Sequence, residues 1–174
     1  NIVIQNEDIN SIINGSYKYI DYHSGIMDIA IKIPSINIHN LKKYYPLQLG
    51  KKTLHWLDTS LLRGQAKNTT MIFKGNIQDF PFVDKENKAD IDKGIFTIDS
   101  TITKSFIEYG AGWPELNNFD FKINVRNNDV KLQSIQGDIL SNNIVKMVGN
   151  ISPFNTEDPI MNIDLILDSP IPTI

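Results

Sequence analysis

The stretch Phe119-Asp120-Phe121-Lys122-Ile123-Asn124-Val125-Arg126 decides the fold, because apolar and polar residues alternate in it without a break. Successive side chains of a β-strand point to opposite faces of the sheet, whereas helices repeat their apolar positions every three or four residues. The stretch therefore predicts a strand with one apolar face and one polar face.

Turn-forming residues follow this stretch and separate it from further runs of the same kind. Asn127-Asn128-Asp129 comes directly after it, and Asn142-Asn143 separates two later runs. Asn and Asp tolerate the left-handed backbone of tight turns, and links this short join antiparallel neighbours. Comparable runs predict strands at residues 27–33, 70–77, 96–102, 130–139, 144–151 and 160–167. From about Gly94 onward the sequence predicts an antiparallel meander.

One segment, residues 40–63, changes to helical spacing. Its apolar positions recur at i, i+3 and i+7, namely Leu54, Leu57 and Leu61. Gly64 follows as a candidate C-terminal cap, and Pro46 separates a first helix at residues 40–45 from a second at 51–62. We expect a mainly β fold: a long-stranded antiparallel meander that forms a curved open sheet or groove, with one short helical hairpin inserted at about residues 40–63.

The chain of 174 residues is expected to be a single β-groove segment, without an internal domain boundary. It starts at Asn1 as if inside a strand and ends at Ile174 without a polar tail, so we expect it to be cut from a larger protein. The charged loop at residues 84–93 is expected to be mobile.

Composition argues against several classes of function. The formal net charge is −3 without a basic stripe, which argues against nucleic acid as a partner. The chain has no Cys, and His23, His39 and His55 do not stand at metal-ligand spacing. We therefore expect no metal and no cofactor.

Candidate catalytic residues lack a supporting pattern. Asp99 and Asp120 lie on the polar phase of predicted strands, where carboxylates are ordinary, and Glu108 is a slightly better candidate. The segment Gly110-Ala111-Gly112 is followed by Trp113-Pro114, which does not open a helix as a dinucleotide loop requires. We predict that the chain is not an enzyme.

The apolar face of the strands has two interpretations. Its side chains either fill the inside of a sandwich or barrel, or they form an open trough for lipid chains. Alternation alone favours the first interpretation, and the sequence does not show whether a second layer covers the face.

An ordered set of short motifs lies between residues 40 and 137. In chain order the motifs are Tyr45-Pro46, Trp56-Leu57, Gly64, Gly75, Phe80-Pro81-Phe82, Gly94-Ile95-Phe96, Tyr109, Trp113-Pro114-Glu115-Leu116 and Ile135-Gln136-Gly137. This ordered set resembles the YhdP branch of the AsmA-like proteins. One departure is Asn117-Asn118, where family members tend to have Gly, although Asn tolerates similar turns.

The resemblance implies a periplasmic segment of a protein that is anchored in the inner membrane of Gram-negative bacteria. Its implied role is non-catalytic: the groove shields phospholipid, or another acyl-chain lipid, during transport from the inner to the outer membrane. Neighbouring segments of the same chain are the other implied partners. The alternative is a structural spacer or assembly module of the cell envelope with a self-filled β core.

Two sets of residues carry these expectations. The groove-facing, lipid-contacting set is Phe96, Ile98, Ile102, Phe119, Phe121, Ile123, Val125, Met147, Ile163, Leu165 and Leu167. The family motifs imply packing roles for Trp56, Leu57, Gly64, Phe80, Pro81, Phe82, Gly94, Trp113 and Pro114.

Overall fold

A computed structural model describes residues 1–22, 24–44, 51–108, 110, 112–156 and 159–168, without the side chains of residues 51–53 and 56. In these residues the strands are β1 (Ile2–Gln5), β2 (Asn10–Asp21), β3 (Ser24–Asn37), β4 (Leu61–Asn76), β5 (Gly94–Ile107), β6 (Leu116–Arg126), β7 (Asp129–Ile139), β8 (Asn142–Ile151) and β9 (Met161–Asp168). The helices are α1 (Ile38–Leu41) and α2 (Lys51–Ser60), with short 3-10 turns at Lys42–Tyr44 and Ile77–Asp79.

The described strands form one antiparallel sheet in which every strand pairs with its neighbour in sequence, from β1 at one edge to β9 at the other. The sheet is open, so the predicted meander and fold class are confirmed. The accessible surface is 11520 Å², whereas a compact monomer of this size exposes roughly 8,600 Å². The excess is what an open sheet without a full second layer requires.

Bulges interrupt the alternation in three central strands. Asn68 in β4, Lys104 in β5 and Asn118 in β6 have φ values of 51°, 53° and 46°, and the strand register shifts beside each of them. A bulge adds one residue to its strand, which bends the strand and reverses the inward and outward phase. The apolar residues of β5 thus change from even numbers, as at Ile102, to odd numbers, as at Ile107.

The helical insertion lies between β3 and β4, as predicted, but its ends differ from the prediction. The first helix begins at Ile38, whose side chain is fully buried, and Pro46 lies outside the described residues. The second helix ends at Ser60, so the prediction that Gly64 caps it is wrong. Leu61 begins β4 and pairs with Ile107, and both side chains are buried. Because this pairing buries Leu61, the chain continues as a strand rather than as a helix.

A closed hydrophobic cluster lies at the strand ends beside this insertion. It combines side chains from α1, the β1–β2 connection and six strands of the sheet: Ile9, Ile36, Ile38, Leu61, Ala66, Ile102, Ile107, Leu116, Phe119, Phe121, Ile139, Ile144 and Met147. We call it the closed core. This end of the apolar face is therefore filled by the protein's own side chains.

The charged loop at residues 84–93, which was expected to be mobile, contains hydrogen-bonded turns. The side chain of Asp84 accepts bonds from the backbone N–H groups of Glu86 and Lys88, at 2.8 and 2.9 Å. These bonds favour the ionised carboxylate and lower the pKa of Asp84. The β4–β5 connection is therefore a structured element of the fold.

Candidate functional site

The central feature of the apolar face is a row of aliphatic side chains that crosses the whole sheet. Residues that are partners in register project from the same face, so the pairings define the row directly. Its members, one from each strand in order, are Ile2, Ile13, Ile31, Met71, Ile98, Val125, Val130, Ile151 and Met161. We call this set the aliphatic row.

Most members of the aliphatic row are half-buried, so each keeps part of its surface open to solvent. Of its members only Val125 is buried, at 7% exposure, and Ile2 at the sheet edge is 60% exposed. Neighbouring strands lie about 4.8 Å apart, so the row is about 38 Å long. An acyl chain spans half of a bilayer core of about 30 Å, so the row is longer than two such chains end to end.

A second row beside it contains several small side chains. Ser100 pairs with Ile123, which pairs with Leu132, which in turn lies opposite Gly149. The hydroxyl groups of Thr69 and Ser100 share a hydrogen bond of 2.7 Å, and that of Ser100 also lies 3.4 Å from the carbonyl oxygen of Lys67, to which it donates. Small side chains from β4, β5 and β8 thus lie between the aliphatic row and the closed core.

The structure places all of the predicted groove-facing residues on this one face, but their surroundings differ. Ile102, Phe119, Phe121 and Met147 are buried inside the closed core, and Val125 is buried in the aliphatic row. Phe96, Ile98 and Ile123 are half-buried, and Ile163, Leu165 and Leu167 on edge strand β9 are 43%, 39% and 37% exposed. Of these, Ile98, Ile123 and the three residues of β9 retain surface for a ligand, whereas the ring of Phe80 lies 5.1 Å from that of Phe96.

The family-motif residues fall at both ends of the strands. Phe80, Pro81, Phe82 and Gly94 gather at the β4–β5 end, whereas Leu57 lies in α2 and Gly64 in β4. Pro114 is half-buried just before β6, and Trp113 is 67% exposed, more than a buried anchor would leave. Trp56 lies in α2, and its side chain is outside the described part. Tyr45, Pro46 and Tyr109 lie outside it as whole residues.

The opposite face of the sheet is polar along its middle from β3 to β9, but it also carries exposed aliphatic side chains, among them Ile12, Ile26, Ile72 and Ile95. A row in register with the aliphatic one runs through Lys32, Thr70, Asp99, Asn124, Lys131, Asn150 and Asn162. Asp99 accepts two bonds from the Arg126 guanidinium, at 2.8 and 3.0 Å, and one from the Asn124 amide at 2.5 Å. The Arg126 bonds, followed by the Asn124 bond, lower the pKa of Asp99.

Replacing Asp99 with Asn is expected to lower the free energy of unfolding only slightly at neutral pH, by about 0.5 kcal/mol, because both partners of the ion pair are partly exposed. A carboxylate whose pKa is lowered by folding stabilises the fold above its unfolded pKa and loses that effect as the pH falls through its folded pKa. Urea unfolding of both chains should therefore differ at pH 6 and converge below about pH 4. A constant difference across this range would contradict the assignment.

The described residues do not assemble a metal-binding group, since no three His, Asp or Glu side chains among them are placed to hold a metal ion. Two depressions, of about 280 and 400 Å³, lie on the polar face and are lined by surface amides and charges such as Gln136 and Lys131. Asp120 bonds the backbone of Lys104 and the amide of Gln136, which is a structural role at the bulge.

None of the helices in the described residues is long and apolar enough to span a bilayer.

Sequence reasoning missed most of the aliphatic row. The alternation of β3 around Ile31 was visible, but β2 was not recognised as a strand, and Met71, Val130, Ile151 and Met161 were not assigned to the site. The signal that could have found them is register, since the Asn127-Asn128 turn fixes Val125 opposite Val130.

Comparison with known families gives one match. The sequence pattern of the family described as YhdP protein matches residues 1–174, which is the whole chain. Searches of curated proteins and of solved structures find no match. This family is not known for an enzymatic activity. The match agrees with the ordered motifs and with the open β-sheet, and the chain belongs to the YhdP family of Gram-negative envelope proteins of the AsmA-like type.

Proposed function

We propose that this chain is a non-catalytic, periplasmic segment of a lipid-transport protein. Its apolar face shields the acyl chains of phospholipid, or of another acyl-chain lipid, while the lipid moves from the inner to the outer membrane. The parent protein is anchored in the inner membrane, and neighbouring segments of the same chain extend the path. Membership of the YhdP family supports this proposal.

The observation that carries the proposal is the unbroken aliphatic row. Nine strands each contribute one aliphatic side chain to it, while the row behind it on the other face is polar from Lys32 to Asn162. A purely structural open sheet gains nothing from keeping half-exposed aliphatic side chains in line across its full width. Contiguous exposed apolar surface of this kind is typical of a binding surface.

The chemistry of the row suits a cargo that slides. Burial of acyl groups contributes about 0.8 kcal/mol per CH₂ and has no directional preference. Since every strand offers a similar aliphatic group, neighbouring positions along the row have similar affinity. The hydroxyl groups of Thr69 and Ser100, which lie beside the row, form hydrogen bonds within the protein and do not hold the cargo at one place.

The alternative, a structural spacer or assembly module of the envelope, has its own supporting observation. Ile102, Phe119, Phe121 and Met147 are covered by side chains of the closed core, so that part of the face is self-filled. A spacer would need the same covering along the aliphatic row. The described residues place no second layer over Ile98 or Met71, which favours the lipid path.

Site-specific photo-crosslinking in the full-length protein in cells tests the proposal. The reactive residue replaces Ile123 or Ile163, which face the apolar side and are not buried, and in matched controls it replaces Lys122 or Asp164 on the polar side. We expect phospholipid adducts, identified by mass spectrometry, at Ile123 and Ile163 and not at the controls.

Equal labelling of both faces would contradict the proposal. Protein adducts without lipid at Ile123 and Ile163 would favour the spacer. Phe121 is a poor reporter despite its place on the apolar face, because it is only 4% exposed within the closed core.

A further inference from the structure

The β4–β5 connection folds back over the apolar face instead of continuing away from the sheet. Phe82 is fully buried, and its ring lies 5.2 Å from that of Phe73 on β4. The ring of Phe80 lies 5.1 Å from Phe96 on β5 and 5.8 Å from Phe73. Because Phe73 and Phe96 are register partners on the apolar face, the two loop rings lie on that face. We call Phe80-Pro81-Phe82 the aromatic cap.

A pair of glycines makes room for the aromatic cap. Gly75 and Gly94 are register partners at the facing ends of β4 and β5. A Cβ atom added to either would lie 2.7 or 2.5 Å from a ring carbon of Phe82, closer than carbon atoms pack. The ring therefore sits directly on the backbone of the sheet, in a socket that any side chain at these two positions would fill.

Hydrogen bonds fix the cap in this position. The buried amide of Asn127, in the β6–β7 turn, donates to the carbonyl oxygens of Phe82 and Gly94 at 3.2 and 3.4 Å. The neighbouring Asn128 donates to the carbonyl oxygen of Asn87 at 2.7 Å. Phe82 has a φ of 60°, which costs roughly 1–2 kcal/mol for an L-residue and is held by these contacts. These contacts hold the cap against the apolar face.

The cap borders the aliphatic row. Phe73 and Phe96 are two residues along their strands from Met71 and Ile98, which is about 7 Å away. On its other side, beyond the small side chains Thr69 and Ser100, the row is bordered by the closed core, which begins at Ala66 and Ile102.

We propose that the aromatic cap is the lateral wall of the lipid path: it occupies the apolar face over Phe73 and Phe96 and confines acyl chains to the strip between the cap and the closed core. The inference rests on the proposed function, since it specifies where on the face the cargo lies. Where β4 and β5 cross the path, acyl chains contact Met71 and Ile98 and are kept from the strand ends beyond them.

Photo-crosslinking at two positions of β5 that are neighbours on the apolar face, in the full-length protein in cells, tests the wall. A small diazirine residue replaces Ile98 in the strip or Phe96 under the cap, and endogenous phospholipid adducts are counted by mass spectrometry. We expect about tenfold fewer adducts at position 96 than at 98, the ratio that loss of about two buried CH₂ contacts gives. Phe80→Ala should raise labelling at position 96 toward that at 98.

Phe80→Leu is the matched variant, because it keeps apolar bulk over Phe96 and should leave labelling at position 96 low. A reactive residue at Lys122 serves as the polar-face control, and it should stay unlabelled in every variant. Equal labelling at positions 96 and 98 in the unaltered chain would overturn the wall but leave the lipid path standing. Absence of lipid at both positions would overturn the proposed function, and the wall with it.

Discussion

Phe119→Ala is expected to lower the free energy of unfolding by about 3–5 kcal/mol, the range for an aromatic residue truncated in a packed core. Phe119 is fully buried in the closed core, and its ring stacks on Phe121 at a centroid distance of 4.9 Å. It also lies against Gly137, where an added Cβ would be 2.7 Å from the ring. Removing the ring would leave a cavity at the point where β5, β6 and β7 meet.

Equilibrium unfolding in urea, followed by far-ultraviolet circular dichroism, measures this loss. Val145→Ala in β8 is the control, because Val145 is 62% exposed and its truncation should change the free energy by about 0.5 kcal/mol or less. A loss below about 1 kcal/mol for Phe119→Ala would mean that the closed core is not the main source of stability.

Gly94→Ala has the second largest expected effect, a loss of about 1–3 kcal/mol from overpacking. Its Cβ would lie 2.5 Å from the carbonyl oxygen of Lys74 and 2.5 Å from a ring carbon of Phe82. The carbonyl belongs to the paired strand and cannot turn aside, so the β4–β5 end must open or Phe82 must leave its socket. Unfolding in urea gives the loss.

Gly149→Ala in β8 is the matched control, because its Cβ would meet the Leu132 side chain at an ordinary 3.5 Å. Alanine costs less conformational entropy than glycine in a strand, so this variant should be neutral or about 0.5–1 kcal/mol more stable. If both substitutions had the same effect, the glycine socket under Phe82 would be refuted.

The strands were predictable where alternation is uninterrupted. The run from Phe119 to Arg126 became β6, and the later runs became β7, β8 and β9 within a residue or two. The turn chemistry at Asn127-Asn128 also predicted antiparallel pairing, since Asn127 has a φ of 49°. Local patterning and short turns therefore specify most of the meander.

The bulges explain much of what alternation missed. Strict alternation assigns the residues beyond the bulges at Lys104 and Asn118 to the wrong face. Ile107 and Leu116 were therefore not recognised as members of the same face as Ile102 and Phe121. Lys104 has an unusual φ of 53° because its backbone N–H bonds Asp120 on the next strand. A contact between different strands decides this feature, and a local pattern does not contain it.

The candidate site was predictable residue by residue but not as an arrangement. Ile98, Ile123 and Val125 were assigned to the apolar face, yet the row that joins them to Ile2 and Met161 depends on eight successive registers. The aromatic cap depends on partners still farther apart in the chain, since Asn127 bonds Phe82 across 45 residues. The family motif marked Phe80 and Phe82 without giving their place on the sheet.

The sequential strand order has a consequence for how the chain acquires its structure. Each strand pairs with the one before it, so loop closure is short at most steps, and a turn of two residues joins β6 to β7. The growing edge can act as a template as successive hairpins emerge, with contacts of low sequence separation. The aromatic cap is the exception: Phe82 is synthesised well before Asn127, so its socket is completed only after the β6–β7 hairpin has docked.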